Sequence, residues 1–384
     1  MSKNKKKNHS YYFHFLLIIL FSFLLFFFVA LINYKIDPRK IYSNFFSTNK
    51  SNETYSTEFV KKLINSEYGV SFEDNILSER DIKFKLANYP TKAECAVIGS
   101  SPVFQISSYR KIRSFSSICN SILNLGTSSS VLEDYLIVSE QLFLNKQPPK
   151  KIIISINPYT LNFNRDDLWQ KYSDEYYIFK NKLMDNKEIN TIPNKNSYNF
   201  LLLENLVNLK YLIRSIQVFN ISKNDLTEVQ KFDYEKGSKY LVILPDGSVV
   251  YSSTLIQDAY NSKIDGVTGK GDYKIKKDRW YNEDAIDLLN KLIIYLQQKF
   301  EVILIMTPYH PLVWEFPDRP VVKAMEITEP IIIEIAKKNN VSLYGSFNPK
   351  NIPCFSSEYF DEVHLKSTCA SKLEKFSNAT KKIN

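Results

Sequence analysis

The sequence predicts an α/β fold built on a mainly parallel β-sheet, carried behind one transmembrane helix and interrupted by an inserted subdomain. Three observations predict it. Short apolar runs closed by Gly, Asn-Pro or Thr-Pro alternate with segments of helical periodicity, the pattern of βαβ units. Residues 15–32, FLLIILFSFLLFFFVALI, are apolar apart from Ser22. Between about 160 and 280 the alternation gives way to aromatic and polar sequence.

At 384 residues, with 44% hydrophobic and 14% aromatic content, the chain has ample material for a core and is not of the disordered class. Its formal charge of +9 is partly a leader block, Lys3, Lys5, Lys6 and Lys7, and is otherwise scattered among acidic residues. No basic stripe interleaves with aromatics, so no nucleic-acid partner is expected. The apolar run is close to the ~20 residues that cross a hydrocarbon core. Ala30 follows Phe28 and Val29 rather than an Ala-x-Ala site, which favours an uncleaved anchor. Lysines before the run and Tyr11 and Tyr12 at its edge place the N-terminus in the cytoplasm and the bulk in the periplasm or outside the cell. The expected organisation is a basic leader over 1–10, a transmembrane anchor over 11–33, a polar stem and lead-in over 34–90 starting with the Asp37-Pro38 turn, and a domain over 91–384.

Four cysteines allow three connectivities. In an oxidising compartment Cys95 with Cys119 and Cys354 with Cys369 could pair, but buried free thiols are the expectation. No Cys-x-x-Cys motif, His-x-x-x-His pair or dense carboxylate cluster stands near a strand end, so neither metal nor cofactor is expected.

The first strand is 95–98, closing on Gly99, and the second is 121–125, closing on Gly126. A helix over 131–144 and a strand over 151–156, ending at Asn157-Pro158, follow. Asn282 caps a helix through 300; 302–306 is a strand ending at Thr307-Pro308, a helix follows Pro320, 341–344 is a strand, and 364–378 reads as a closing helix. Within the insertion Pro245-Asp246-Gly247 separates two β-rich runs, a hairpin signal. The insertion reads either as a lid or substrate-binding subdomain or as an elaboration of the sheet edge.

The chemistry-bearing residues sit at the strand ends. In AVIGSSP, Gly99 permits a tight strand-to-helix turn, and Pro102 extends Ser101 and suits a first helical position, so Ser101 becomes a candidate nucleophile. Ser100 is its rival. Asp361-x-x-His364 follows the aromatic loop FSSEYFD and supplies an orienting carboxylate and a general base. His310, in MTPYHPLVWEF, either lines the site, with a fallback role as base, or is held by Pro308, Pro311 and Trp314.

With these residues in this order the chain resembles the SGNH/GDSL hydrolase superfamily, especially the membrane-anchored branch associated with O-acylation of cell-surface polymers, including DltD-like and AlgX/AlgJ-like proteins. The resemblance spans about 90–380 without the insertion. It implies a three-layer α/β/α sandwich of flavodoxin-like type. It gives the nucleophile to Ser101 in VIGSSPV, an oxyanion N–H to Gly126 in ILNLGTSSS, a strand-end asparagine to Asn157 in IISINPY, and the last block to Asp361 and His364. Ser100 stands where the hydrolases carry aspartate, and IISINPY lacks their Gly-x-Asn-Asp, so Asn157 is alternatively a turn-capping residue and Asn124 a substitute.

The function expected from this is an extracytoplasmic serine O-acyltransferase or esterase acting on a cell-surface or exported polysaccharide. The resemblance implies a membrane-bound O-acyltransferase as partner. The alternative is a non-catalytic scaffold of the same fold that binds polysaccharide or lipid-linked polymer through aromatics such as Trp169, Trp280 and Trp314.

Overall fold

The computed structural model describes residues 3–36, 50–72, 78–163, 169, 172–184, 206–219, 228–261 and 280–377. In chain order the elements are α1 (Lys3–Ile36), α2 (Lys50–Asn65), β1 (Val70–Phe72), α3 (Glu79–Asn88), β2 (Cys95–Ile98), β3 (Ile122–Asn124), α4 (Leu132–Leu144), β4 (Lys151–Ser155), α5 (Ser173–Leu183) and α6 (Leu209–Phe219). Then come β5 (Leu241–Ile243), β6 (Val249–Val250), α7 (Ser253–Asn261), α8 (Glu283–Gln297), β7 (Glu301–Met306), α9 (Pro320–Lys338), β8 (Ser342–Gly345) and α10 (Ser367–Ala370). They form two compact units, one of residues 1–51, 74–78 and 190–225, the other of 52–73, 79–189 and 226–384.

In the smaller unit α1 carries a 24-residue stretch, Phe13–Ile36, of mean hydropathy 3.2. It is long and apolar enough to cross a membrane. The helix α6 packs against α1.

The larger unit is mixed α/β. Its central sheet has five strands in the order β3-β2-β4-β7-β8, and every neighbouring pair is parallel. Central strands of a parallel sheet are covered on both faces and so read as unbroken apolar runs. Thus Ile152, Ile153 and Ile154 of β4 are all fully buried. Helix α8 starts where Asn282 Oδ1 accepts the Asp284 N–H at 2.8 Å, and it turns Leu288, Leu289, Leu292, Ile293 and Leu296 inward at helical spacing.

The region read as a stem contributes to this unit. Phe59, Val60 and Leu63 of α2 and Ile82 and Leu86 of α3 are fully buried. Arg80 of α3 grips Asp134 of α4 with two hydrogen bonds of 2.7 and 2.9 Å, both side chains buried. The insertion's hairpin forms as read: β5 and β6 pair antiparallel across a turn closed by Gly247 N–H to Leu244 O, 2.7 Å. It does not extend the parallel sheet. It pairs instead with β1 in a separate three-stranded sheet, β1-β5-β6. Residues 164–168, 185–205, 220–227 and 262–279 of the insertion lie outside the described residues.

Two expectations are corrected. The cysteines are not free thiols: Cys95–Cys119 and Cys354–Cys369 are disulfides, with Cα atoms 5.9 and 5.3 Å apart. All four sulfurs join one apolar cluster with Val103, Ile106, Phe115 and Leu365. Nor is 364–378 a continuous helix. Its helical parts are the single turn of α10 and a 3₁₀ turn, Leu373–Lys375, after which Phe376 O accepts the Gly345 N–H (2.9 Å) and Ser377 bridges Tyr344, drawing the chain out along β8.

Candidate active site

Strands β2 and β4 are neighbours, and both chain segments leaving their C-terminal ends carry residues singled out from the sequence. After β2 the chain passes through extended Ser100 (φ −88°, ψ −176°) into a 3₁₀ turn, Ser101–Val103, with Pro102 inside it. The turn is held from below by Asn124 at the end of β3. Its Nδ2 donates to the Val103 and Ile106 carbonyls at 2.7 and 2.8 Å, and its Oδ1 accepts the Gly126 N–H at 2.9 Å. Glycine at 99 and 126 is required by proximity. A Cβ on Gly99 would lie 2.8 Å from Ser155 Cβ, and one on Gly126 would lie 2.5 Å from Val103 Cγ2.

Ser101 meets the far end of the chain here. His364 Nε2 lies 2.7 Å from Ser101 Oγ, and His364 Nδ1 lies 2.6 Å from Asp361 Oδ2. The other Asp361 oxygen accepts the Val363 and His364 N–H groups at 2.9 and 2.8 Å. Burial opposes charge on Asp361, yet the hydrogen bond and charge of His364 with these two N–H donors outweigh it and hold the carboxyl below its ordinary range. An ionised Asp361 fixes the His364 ring with a proton on Nδ1 and leaves Nε2 to accept from the serine.

Aromatic residues wall the His364 ring. Tyr251, just after β6, stacks edge-on against His364 with ring centroids 5.6 Å apart, and against Phe360 at 5.1 Å. Tyr251 is held by its hairpin. Val249 O accepts from Gln105 Nε2 (3.0 Å) and Arg110 Nη2 (2.6 Å), while Val249 N donates to Phe104 O (3.1 Å). Asp246 in the turn accepts from Ser107 Oγ (2.6 Å), the Ser108 N–H (3.0 Å) and Ser248. Buried Lys83 donates to the Asn124 carbonyl (3.0 Å) and to the Gly247 carbonyl. The hairpin is thereby bolted to the segment that follows the candidate nucleophile.

The other sequence candidates take these places. Ser100 is buried, and the His364 ring meets Ser101 instead. Gly126 has already given its N–H to Asn124, so its place in the site is one of close packing, not of a free oxyanion donor. Asn124 uses its amide as the bracket just described. Asn157 is fully buried at the end of β4. Its N–H donates to Thr160 Oγ1 (3.0 Å), its side chain lies by the Tyr135 hydroxyl, and among the described residues neither amide atom has a partner at hydrogen-bond geometry. His310 caps a 3₁₀ turn, its Nδ1 accepting the Leu312 N–H at 3.1 Å, and burial lowers its pKa. Its own N–H donates to Glu362 O at 2.9 Å, so it props the loop that carries Asp361 and His364. Trp169 stacks on Tyr176, and Trp314 donates to Phe347 O at 3.1 Å.

Tyr251, Asp246 and Lys83 escaped sequence reasoning in these roles. The first two lie in a segment legible only as a hairpin, and a lone lysine in ERDIKFKLAN carries no mark of burial. In comparison with known proteins, the chain matches no protein-family model and no curated protein.

Proposed function

We propose that this chain is a membrane-anchored serine O-acyltransferase or esterase that acts on a cell-surface or exported polysaccharide through an acyl-enzyme. The observation that carries the reading is the hydrogen-bonded series Ser101 Oγ, His364 Nε2, His364 Nδ1, Asp361 Oδ2, with links of 2.7 and 2.6 Å. Ser101 Oγ attacks the acyl carbonyl as its proton passes to His364 Nε2. His364 then protonates the leaving group, and Ser101 holds the acyl ester. In the second half His364 takes the proton of a sugar hydroxyl or water, which attacks the ester and frees Ser101. Transfer and hydrolysis differ only in that acceptor.

Position in the fold supports the reading. Numbered within the parallel sheet, the strand order is 2-1-3-4-5, with the switch point between β2 and β4, where open α/β sheets place ligands. That order also supports a three-layer α/β/α, flavodoxin-like arrangement and the resemblance to SGNH hydrolases. The apolar α1, the basic leader and two disulfides support a domain on the extracytoplasmic side. A membrane-bound O-acyltransferase supplying acyl groups is the proposed partner.

The test is labelling of the full-length chain in detergent with a fluorophosphonate. Labelling is expected in wild type and Ser100→Ala and absent in Ser101→Ala and His364→Ala. A folded wild type that stays unlabelled shifts the assignment to a polymer-binding scaffold.

A further inference from the structure

Asn33, near the end of α1, is fully buried. Its Nδ2 donates to the Leu206 carbonyl at 2.8 Å and to the Asn208 carbonyl at 3.3 Å, and its Oδ1 lies 3.1 Å from Ser215 Oγ. Asn208 starts α6, its Oδ1 accepting the Tyr211 N–H at 3.3 Å. Tyr211 and Ser215, one turn apart, are buried, whereas Leu209, Ile213 and Ile216 are 66, 51 and 50% exposed. Spacing of 209, 213 and 216 puts these three on one stripe of α6. A short helix is therefore pinned through one face to the end of the apolar helix and leaves an adjacent apolar stripe bare.

The height of that pinning point follows from helix geometry. Phe13 to Asn33 spans about 30 Å at the α-helical rise, the thickness of a hydrocarbon core. Asn33 thus reaches the boundary where headgroups begin, with exposed Leu31 and Tyr34 on the turns beside it. In water an exposed stripe of three large aliphatics is unfavourable, while at a bilayer boundary it is the face that enters lipid. The asparagine amide, costly against acyl chains if unpaired, is satisfied by the docked segment.

We infer that α6 is an interfacial helix, lying at the membrane surface at the C-terminal end of α1 with Leu209, Ile213 and Ile216 in the lipid. The inference rests on the reading that α1 spans a bilayer. The membrane attachment is then a two-element device, one helix crossing and one lying flat.

The full chain in phosphatidylcholine vesicles, carrying a nitroxide in turn at Leu209→Cys, Ile213→Cys, Ile216→Cys, Leu24→Cys and Ile294→Cys, tests it. Leu24 lies mid-way along α1, and Ile294 is an exposed position of α8. Labels at 209, 213 and 216 are expected to lose relaxation by a water-soluble nickel chelate relative to 294 and to gain relaxation by oxygen, at depths of about 5–10 Å. Chelate access equal to that at 294, with 24 shielded, overturns the inference while the spanning reading stands. Chelate access at 24 overturns both. Shielding from chelate and oxygen alike at 209, 213 and 216 assigns the stripe to a second copy of the chain and overturns the lipid assignment.

Discussion

His364 Nε2 sits 2.7 Å from Ser101 Oγ although 263 residues of chain separate them. A contact of that length between a hydroxyl and an imidazole, with a carboxylate on the other ring nitrogen, has the geometry of the proton path that the proposed mechanism requires, which makes the serine's role measurable. Ser101→Ala should lower hydrolysis of p-nitrophenyl acetate by roughly 10⁴-fold or more. Since the two residues act together, Ser101→Ala with His364→Ala should be no worse than either alone. Losses that multiplied in the double variant would show that they do not share a step.

Asp361→Asn keeps an oxygen for the Val363 and His364 N–H groups but turns an amide toward His364 Nδ1. The ring then carries its proton on the nitrogen facing Ser101, and kcat should fall roughly 10⁴-fold with the fold intact. Because Asp361 is held below its ordinary range, its ionised form adds stability above that range, lost as pH falls through the lowered value. The melting-temperature gap between wild type and Asp361→Asn should therefore close on acidification. A gap that stayed constant to low pH would refute the linkage.

Lys83 is fully buried, and burial lowers its pKa from 10.5 to about 8. Between these values the unfolded chain binds more protons than the folded one, so stability rises as pH rises through the window. The rise is on the order of 3 kcal/mol. Lys83→Met should abolish it, which urea titrations of both proteins between pH 8 and 10 would read. Parallel pH profiles would mean that Lys83 is not the group responsible.

Tyr251 meets His364 through its ring, and its buried hydroxyl has no hydrogen-bond partner among the described residues. Tyr251→Phe should be almost neutral, whereas Tyr251→Ala opens the wall at a cost of about 3–5 kcal/mol and lowers kcat. Thermal melts with ester-hydrolysis rates separate the two. A Tyr251→Phe variant as impaired as Tyr251→Ala would assign the hydroxyl a direct part.

One disulfide encloses Ser101 and the other encloses Asp361 and His364. Closing loops of 24 and 15 residues contributes about 3 kcal/mol each by the chain-entropy estimate. Cys354→Ser with Cys369→Ser should lower the melting temperature and loosen the base, and Cys95→Ser with Cys119→Ser should act on the nucleophile side. Unchanged melting under strong reductant would argue against both.

The parallel sheet is legible because its strands are dense apolar runs closed by breakers, and AVIGSSP and Asp361-x-x-His364 because a serine after a strand-closing glycine and a late Asp-x-x-His are the parts that a triad needs. What escaped depends on distance. Val70 pairs with Ile243, a contact no local pattern announces, so from its own sequence β1 reads as part of a polar stem. The commitment of the Gly126 N–H to Asn124 is a matter of rotamer, invisible to spacing. Local sequence over 364–378 overstates the closing helix, because pairing of Phe376 and Ser377 with β8 ends it early.

Dispersing the reacting groups between the two ends of the fold also sets a time order. Ribosomes deliver Ser101 long before His364, so on the proposed mechanism a growing chain carries a hydroxyl with no base beside it and is not acylated by this route. Competence then waits until residues 361–364 meet the turn after β2. By the same mechanism, a chain interrupted before residue 361 would lack the base that acylation of Ser101 requires.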